Sequence, residues 1–385
     1  MDHDGILHKR GHSRVMSKKI KVAVIGAKGF PARGGAARSN EEIYRRLIDK
    51  CDVTVYAMST HAHQKDYHGI KQIIIRVPKH HWVFVAWYLF SSAIHALFFG
   101  KYDVVHVNHR SSGFIVPFMG SRYPVLLNIH GFTRGGTVDN KWNKLQRWLI
   151  NMVTSAGVRR AQSIVTVEKS SVDLLTQLGG RRVSYIPNGV ELTSFKLPEV
   201  DPERSYDIVF AAARIIPLKG LHDLINALNE MAFKGSVLII GDLDQLASYK
   251  RVIQDLCFNL DCVFTGQIAD KHELFRLIRS SKVFVFPSHS EGMSNMLLEV
   301  AALKVPIIAS DIVQNTDVFS EDQITFFKCR DTCDLAEKII TVIRAYENAK
   351  CKANSAYERV INEYSWDDIA YSYYQVVNTL AKINA

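Results

Sequence analysis

Short apolar runs recur along this chain with helix-length stretches between them, and this alternation limits the fold more than any other feature. The runs at residues 20–26, 53–56, 73–77, 104–108 and 125–131 are rich in Val, Ile and Leu. Continuous apolar character, rather than strict alternation with polar residues, marks strands buried on both faces, the pattern of a parallel sheet flanked by helices. The series breaks once, at residues 191–206, where the chain turns polar and carries Pro198 and Pro202. Such a stretch reads as an interdomain linker. A second series then starts with residues 207–212, 237–242, 262–268 and 283–286. At 385 residues the chain has room for two domains. The expectation is therefore an α/β protein of two facing Rossmann-like domains, at 19–190 and 207–365. Residues 1–18 form a basic, disordered lead without an apolar signal core, with Met16 as an alternative start, and 366–385 form a final helix.

The most chemically suggestive stretch is Ser290 to Glu299. An apolar run ends at Pro287, and Met296, Leu297, Val300, Ala301 and Leu303 form a helical stripe after it. Gly292, Met293, Ser294 and Asn295 therefore sit at the mouth of a helix, where unpaired N–H groups and the positive dipole end attract anions. Glu291 and Glu299 bracket that mouth. Eight helical residues rise about 12 Å, roughly a diphosphate with part of a sugar at either end. Backbone for phosphate and acids for hydroxyls suit a nucleotide-sugar. A helix start with two solvated glutamates is the plainer reading of the pair alone.

Three other stretches invite a similar reading. The first strand runs into a glycine-rich loop, residues 26–35, followed by a helix expected over 39–48. The spacing is not G-x-G-x-x-G, and no acidic residue closes the run at 53–56, which argues against a nicotinamide dinucleotide. Arg214 and Lys219 follow the first strand of the second series, two cations that could grip an anion or simply be surface bases beside a strand. His130 stands at the C-terminal edge of a strand, where ligands gather in open parallel sheets.

These residues also carry a family resemblance. Residues 291–299, EGMSNMLLE, resemble the EGxSNxLLE form of the E-x7-E motif in the retaining glycosyltransferases of family four, which have GT-B architecture. Residues 26–35 resemble that family's GxxGxPxxxGG opening, particularly in the bacterial polysaccharide rhamnosyltransferase-like branch. Residues 185–190 resemble its IPNGVD element, and 213–220 its GRxxxxKG motif, with Ala213 in place of glycine. The resemblance implies that Glu299 holds the ribose hydroxyls and Glu291 the sugar hydroxyls. It implies that Arg214, Lys219 and the N–H groups from Gly292 to Asn295 stabilise the diphosphate. His130 would contact the donor sugar, Gly34 and Gly35 would let the first loop close over the phosphates, and Gln267 and Ile268 would read the base. The final helix would cross back onto the first domain, with Trp366 as an anchor. No D-x-D element stands at the expected site, so no metal or cofactor is expected, and no residue is assigned as a covalent nucleophile.

The acceptor has to be read from charge and surface. Net charge is +10 with a pI near 9.2, which favours anionic partners. No RNA-binding signature accompanies it, so nucleic acid is not expected. Lys141, Lys144 and Arg147 recur near Trp148, in a helix whose inward stripe reads as Trp142, Leu145, Leu149, Met152 and Ala156. Residues 82–99 are almost wholly apolar. A buried helix of the sheet's outer layer suits Ser91, Ser92, His95 and Tyr88 on one face, while a membrane span and an interfacial helix led by Trp82 remain alternatives. These features, with the resemblance, suggest a lipid-linked glycan acceptor at an anionic membrane surface, the protein being cytoplasmic and peripheral at the inner face. A soluble acceptor and a sugar-nucleotide epimerase are the competing readings. The six cysteines show no metal-like spacing and fit free thiols in a reducing compartment.

Overall fold

The computed structural model describes residues 18–32, 35–78, 84–131, 144–191 and 205–383, with backbone alone for 36 and 144–147. Most of the basic lead and of the linker falls outside these residues.

Two parallel sheets form the frame. The first contains β1 (Ile20–Ile25), β2 (Cys51–Met58), β3 (Asp66–Tyr67), β4 (Ile70–Ile75), β5 (Val104–Asn108), β6 (Val125–Ile129), β7 (Ser163–Thr166) and β8 (Val183–Tyr185). Their order is β3-β4-β2-β1-β5-β6-β7-β8, parallel except for the short antiparallel edge strand β3. The second contains β9 (Tyr206–Arg214), β10 (Ser236–Asp242), β11 (Asp261–Gly266), β12 (Ser281–Phe286), β13 (Ile307–Ser310) and β14 (Thr325–Phe327), in the order β11-β10-β9-β12-β13-β14. Central strands such as β5 and, after Lys282, β12 are buried on both faces, as their largely apolar sequences suggest.

Helices cover both sheets. The first domain carries α1 (Gly35–Arg46), α2 (Phe84–Phe99), α3 (Val116–Met119), α4 (Lys144–Arg160) and α5 (Ser171–Gln177). The second carries α6 (Leu221–Glu230), α7 (Ala247–Leu256), α8 (Lys271–Arg279), α9 (Asn295–Ala302), α10 (Val313–Thr316), α11 (Thr332–Arg344) and α12 (Tyr346–Glu363). The last helix, α13 (Trp366–Ala381), returns to the first domain. Its Trp366, Ile369, Tyr373 and Val377 share a core with Val22, Val24, Tyr44 and Val53. The two crossings between domains run side by side: Val190 N–H donates to Tyr364 O at 2.8 Å, and Trp366 N–H to Val190 O at 3.3 Å.

Three local expectations need correction. Helix α1 begins at Gly35, four residues earlier than its sequence suggests. Helix α2 is not wholly buried. Tyr88, Leu89, Ser92, Ala93 and Ala96 face the sheet, whereas Trp87, Phe90, Phe98 and Phe99 are exposed. In α4 the inward face is Thr154, Gly157 and Val158, and Leu149 and Met152 point outward. The cause is a close backbone approach. A Cβ at Gly157 would lie 2.7 Å from Cα of Gly113, so α4 docks on its small residues instead of its large ones.

Candidate active site at the cleft between the two sheets

The carboxyl ends of both sheets meet at the cleft, and the loops there carry most of the residues that sequence singled out. On the second domain, Ser294 caps α9 by accepting from Leu297 N–H at 3.3 Å. Serine is favoured at this position because its hydroxyl satisfies a first-turn donor. Helix therefore starts at Asn295, and Glu299 lies about one turn inside it, about 6 Å along the axis, rather than two turns. Residues 291–294 form a loop in front of the helix mouth. The N–H groups of Asn295 and Met296 remain at that mouth without an intrahelical acceptor.

Both acids are already held by cations. Lys219 Nζ donates to Glu291 Oε1 at 2.5 Å. Lys271 Nζ donates to Glu299 Oε1 at 2.6 Å, and Arg38 Nη2 from the first domain stands 4.0 Å from the same oxygen. Glu299 is nearly buried. Arg214 ends β9 and is exposed, without an ion pair to a described residue. A sugar–phosphate bond lying over the Lys219–Glu291 pair would meet an acceptor for hydroxyls and a cation for phosphate side by side. Gln267 is exposed and Ile268 half-buried, just beyond the end of β11 on the same sheet edge.

On the first domain, His130 follows β6 and precedes Gly131, whose φ of +97° suits glycine. The His130–Gly131 peptide faces Gly292: a Cβ at Gly292 would stand 3.6 Å from His130 O. The structure thus brings His130, Glu291, Gly292 and Lys219 to one place. Desolvation, with a smaller contribution from the His109 charge, lowers the His130 imidazole to about 3. Its Nε2 is buried with no hydrogen-bond partner among the described residues.

The described part of the glycine-rich loop is tied to its own domain. Its backbone donors are largely spent inside the domain. Tyr88 Oη accepts from Gly26 N–H at 3.0 Å and Lys28 N–H at 3.4 Å, and donates to Tyr56 O at 2.7 Å. Phe30 N–H goes to Gln72 Oε1, and Ala32 N–H to Glu41 Oε2, each at 2.7 Å. These four amides are therefore engaged within the first domain. Gly35 opens α1 and is exposed. Gly34, Trp82 and Lys141 lie outside the described residues, and the side chains of Lys144 and Arg147 are not described. Trp148 is exposed on the outer face of α4, apart from the cleft contacts.

Sequence reasoning missed three residues here. Lys271 and Arg38 pair with Glu299 across 28 residues and across the domain boundary, respectively, with no local pattern to mark them. Asn188 lies within the recognised 185–190 stretch, yet its role appears only in three dimensions. It donates Nδ2–H to Met293 O at 3.0 Å and accepts from Ser39 Oγ–H at 2.8 Å. One buried amide thus joins α1, the interdomain crossing and the α9 mouth.

Comparison with known proteins agrees with this architecture. Residues 33–194 match the model described as Glycosyltransferase Family 4, and residues 196–359 the model described as Glycosyl transferases group 1. A capsular polysaccharide biosynthesis glycosyltransferase of Staphylococcus aureus is 26% identical over 204 residues, 48% of this chain and 52% of that protein. The match thus spans about half the length of that relative. Among solved structures, sucrose-phosphate synthase from Thermosynechococcus elongatus superposes with a TM-score of 0.79 at 20% identity, covering 94% of this chain and 99% of the other. The Anabaena protein HepE, solved in complex with UDP-glucose, gives 0.75 at 16% identity, covering 94% and 100%. These likenesses establish the GT-B fold.

Proposed function

We propose that this chain, which belongs to the GT-B glycosyltransferases by the models that its two halves match, moves a sugar from a nucleoside-diphosphate sugar to a lipid-linked glycan in cell-surface polysaccharide synthesis. The anomeric configuration is retained in this reading. The observation that carries it is the meeting of Lys219, Glu291 and the α9 mouth with the His130–Gly131 peptide.

The donor lies along the second domain. Glu299 accepts the ribose hydroxyls after Lys271 and Arg38 give way, and Glu291 accepts hydroxyls of the sugar. Charge develops on the diphosphate as the sugar–phosphate bond breaks. Arg214, Lys219 and the N–H groups at the α9 mouth stabilise that charge, so the reaction itself requires no metal. Gln267 and Ile268 border the base. His130, neutral at physiological pH, donates or accepts a hydrogen bond at the sugar without adding charge beside the departing diphosphate. The acceptor attacks from the face that the diphosphate leaves, and closure of the cleft limits donor hydrolysis.

The lipid-linked acceptor rests on a separate observation. Trp87, Phe90, Phe98 and Phe99 of α2, Phe118 of α3, and Trp148, Leu149 and Met152 of α4 are exposed, and α3 packs against both of the other helices. Contiguous apolar surface of this kind marks a partner or membrane site. Exposed Lys101 and Arg122 lie at the end of α2, where Arg122 donates to Leu97 O. Among the described residues no helix is long and apolar enough to cross a membrane. An interfacial face with a cationic rim therefore supports peripheral binding to anionic lipid on the inner membrane surface. The homologous capsular enzyme, by its name, works in polysaccharide synthesis.

Calorimetric binding of UDP, GDP, dTDP and ADP and their sugar conjugates to wild type and Glu299→Ala tests the donor assignment. One series is expected to bind, with at least tenfold loss in the variant. Failure of every nucleotide to bind a folded sample would overturn it. A substrate that is used equally well without lipid would move the acceptor reading to a soluble glycan.

A further inference from the structure

Beside the donor loops, and separate from the residues assigned above, three side chains converge on one point. His222 and Asp223 open α6, and His289 follows β12. Nε2 of His289 lies 2.5 Å from Oδ2 of Asp223, and Nε2 of His222 lies 3.3 Å from Oδ1. The three donor atoms fall within 4.8 Å of one another, the one such group of three among the described residues. Asp223 and His289 are largely buried, whereas His222 is 28% exposed at its side chain, leaving an approach from solvent. Tyr249 Oη stands 2.8 Å from Nδ1 of His222, which orients the ring with Nε2 toward the carboxylate.

We infer that His222, Asp223 and His289 bind a divalent transition-metal ion of the zinc class, and that this ion braces the donor site without joining the reaction. Two imidazoles and one carboxylate suit zinc, cobalt or nickel rather than magnesium or calcium, which prefer oxygen alone. Tetrahedral ligands about 2.0–2.1 Å from zinc stand roughly 3.3 Å apart. The His222–Asp223 separation already has that value. The His289–Asp223 pair is closed by a hydrogen bond to the other carboxylate oxygen, so the ring has to turn and its Nε2 has to be free of a proton, which a neutral imidazole meets by carrying it on Nδ1. Tyr249 supplies the outer hydrogen bond that metal-bound histidines ordinarily carry.

Position gives the ion its role. His289 is two residues before Glu291, and its N–H donates to Leu218 O at 2.9 Å, next to Lys219. Asp223 N–H donates to Gly220 O, also at 2.9 Å. An ion here ties the segment bearing Lys219 to the segment bearing Glu291. Metal binding stands without the transferase reading; only the consequence for donor affinity rests on it.

The test uses untagged full-length protein, stripped with chelator and titrated with zinc and then cobalt(II), with magnesium as control. One zinc per chain is expected, with a rise in melting temperature and a cobalt spectrum of tetrahedral type. His289→Ala and His222→Ala should weaken zinc at least tenfold, and Tyr249→Phe by roughly tenfold. His222 is the most exposed of the set, so His222→Ala reports even where His289→Ala fails to fold. No saturable zinc binding by wild type, or equal binding by wild type and His222→Ala, would show a hydrogen-bonded His–Asp–His group and overturn the proposal. Zinc binding that leaves nucleotide affinity unchanged would overturn the brace alone.

Discussion

The two lips of the cleft solve the same problem in opposite ways. The first domain presents neutral polar groups that have been stripped of water: His106, Asn108 and Asn128 are buried, and His106 Nε2 and both side-chain atoms of Asn108 have no partner among the described residues. The second presents full charges, two of them paired before any ligand arrives, in Lys219–Glu291 and Lys271–Glu299, with Arg214 exposed beside them. A diphosphate needs cations where it departs, and a buried cation needs an anion while it waits. A hydroxyl nucleophile approaching from the other lip gains from neutral surroundings that do not compete for the leaving group's counter-charge. On the proposed function, the donor lies against the more charged lip, and the acceptor approaches a lip whose buried and half-buried groups are mostly neutral, Arg38 and Glu168 excepted.

The largest expected effect comes from breaking the charged lip. Lys219→Met should lower kcat by about 10²–10³-fold, the usual cost of removing one group that stabilises developing charge. It also strands Glu291, which is largely buried beside it. The double variant Lys219→Met/Glu291→Gln should therefore fall well short of the product of the two single losses. Strict multiplicativity in a double-mutant cycle would mean that the pair does not act as a unit.

Breaking the neutral lip should show in stability. His106 is fully buried, with Nδ1 2.6 Å from Tyr44 Oη, and desolvation followed by the His130 charge lowers it to about 3. The unfolded chain binds a proton here near pH 6.5, and the folded one does not until about 3. Stability from this group is thus intact above pH 6.5 and is lost as pH falls from there toward 3, at about 1.4 kcal/mol per unit. Between pH 7 and 5 that amounts to about 2 kcal/mol. His106→Gln, which keeps an acceptor for Tyr44, should flatten the pH dependence of urea midpoints by about one proton. Parallel curves for the two proteins would refute the assignment.

What could be read from sequence follows the range of the interactions. Buried parallel strands announce themselves because both faces are apolar, so β1, β5, β9 and β12 lie where the runs suggest. The α9 mouth was legible because Ser294 and its neighbours act within one turn. Tyr88 was not legible as the cap of the glycine-rich loop, since 60 residues separate it from Lys28. Likewise the amphipathic reading of α4 failed because Gly113, far away in sequence, decides which face can approach. That failure exposes the apolar outer face of the first domain. Phe98→Ser with Trp148→Ser should weaken binding to anionic vesicles about tenfold and leave nucleotide affinity unchanged. Equal vesicle binding by wild type and variant would remove the membrane role from this face.

The smallest expected effect is an absence of change, and it sharpens the comparison most. A histidine at a reacting centre ordinarily gives kcat/KM an acid limb near 6.5. His130 is held far below that, so it is neutral on both sides of pH 6.5. Protonation would place a positive charge in a desolvated pocket beside His109, and burial outweighs the Glu168 carboxylate near Gly131. The kcat/KM profile of wild type should therefore show no limb assignable to His130 between pH 5.5 and 8. His130→Asn should lower the rate at every pH in that range by the same factor. A wild-type limb near 6.5 that disappears in His130→Asn would mean that the ring titrates in the working enzyme. The first-domain lip would then gain a charge at the reacting centre, and the contrast between the two lips would not hold.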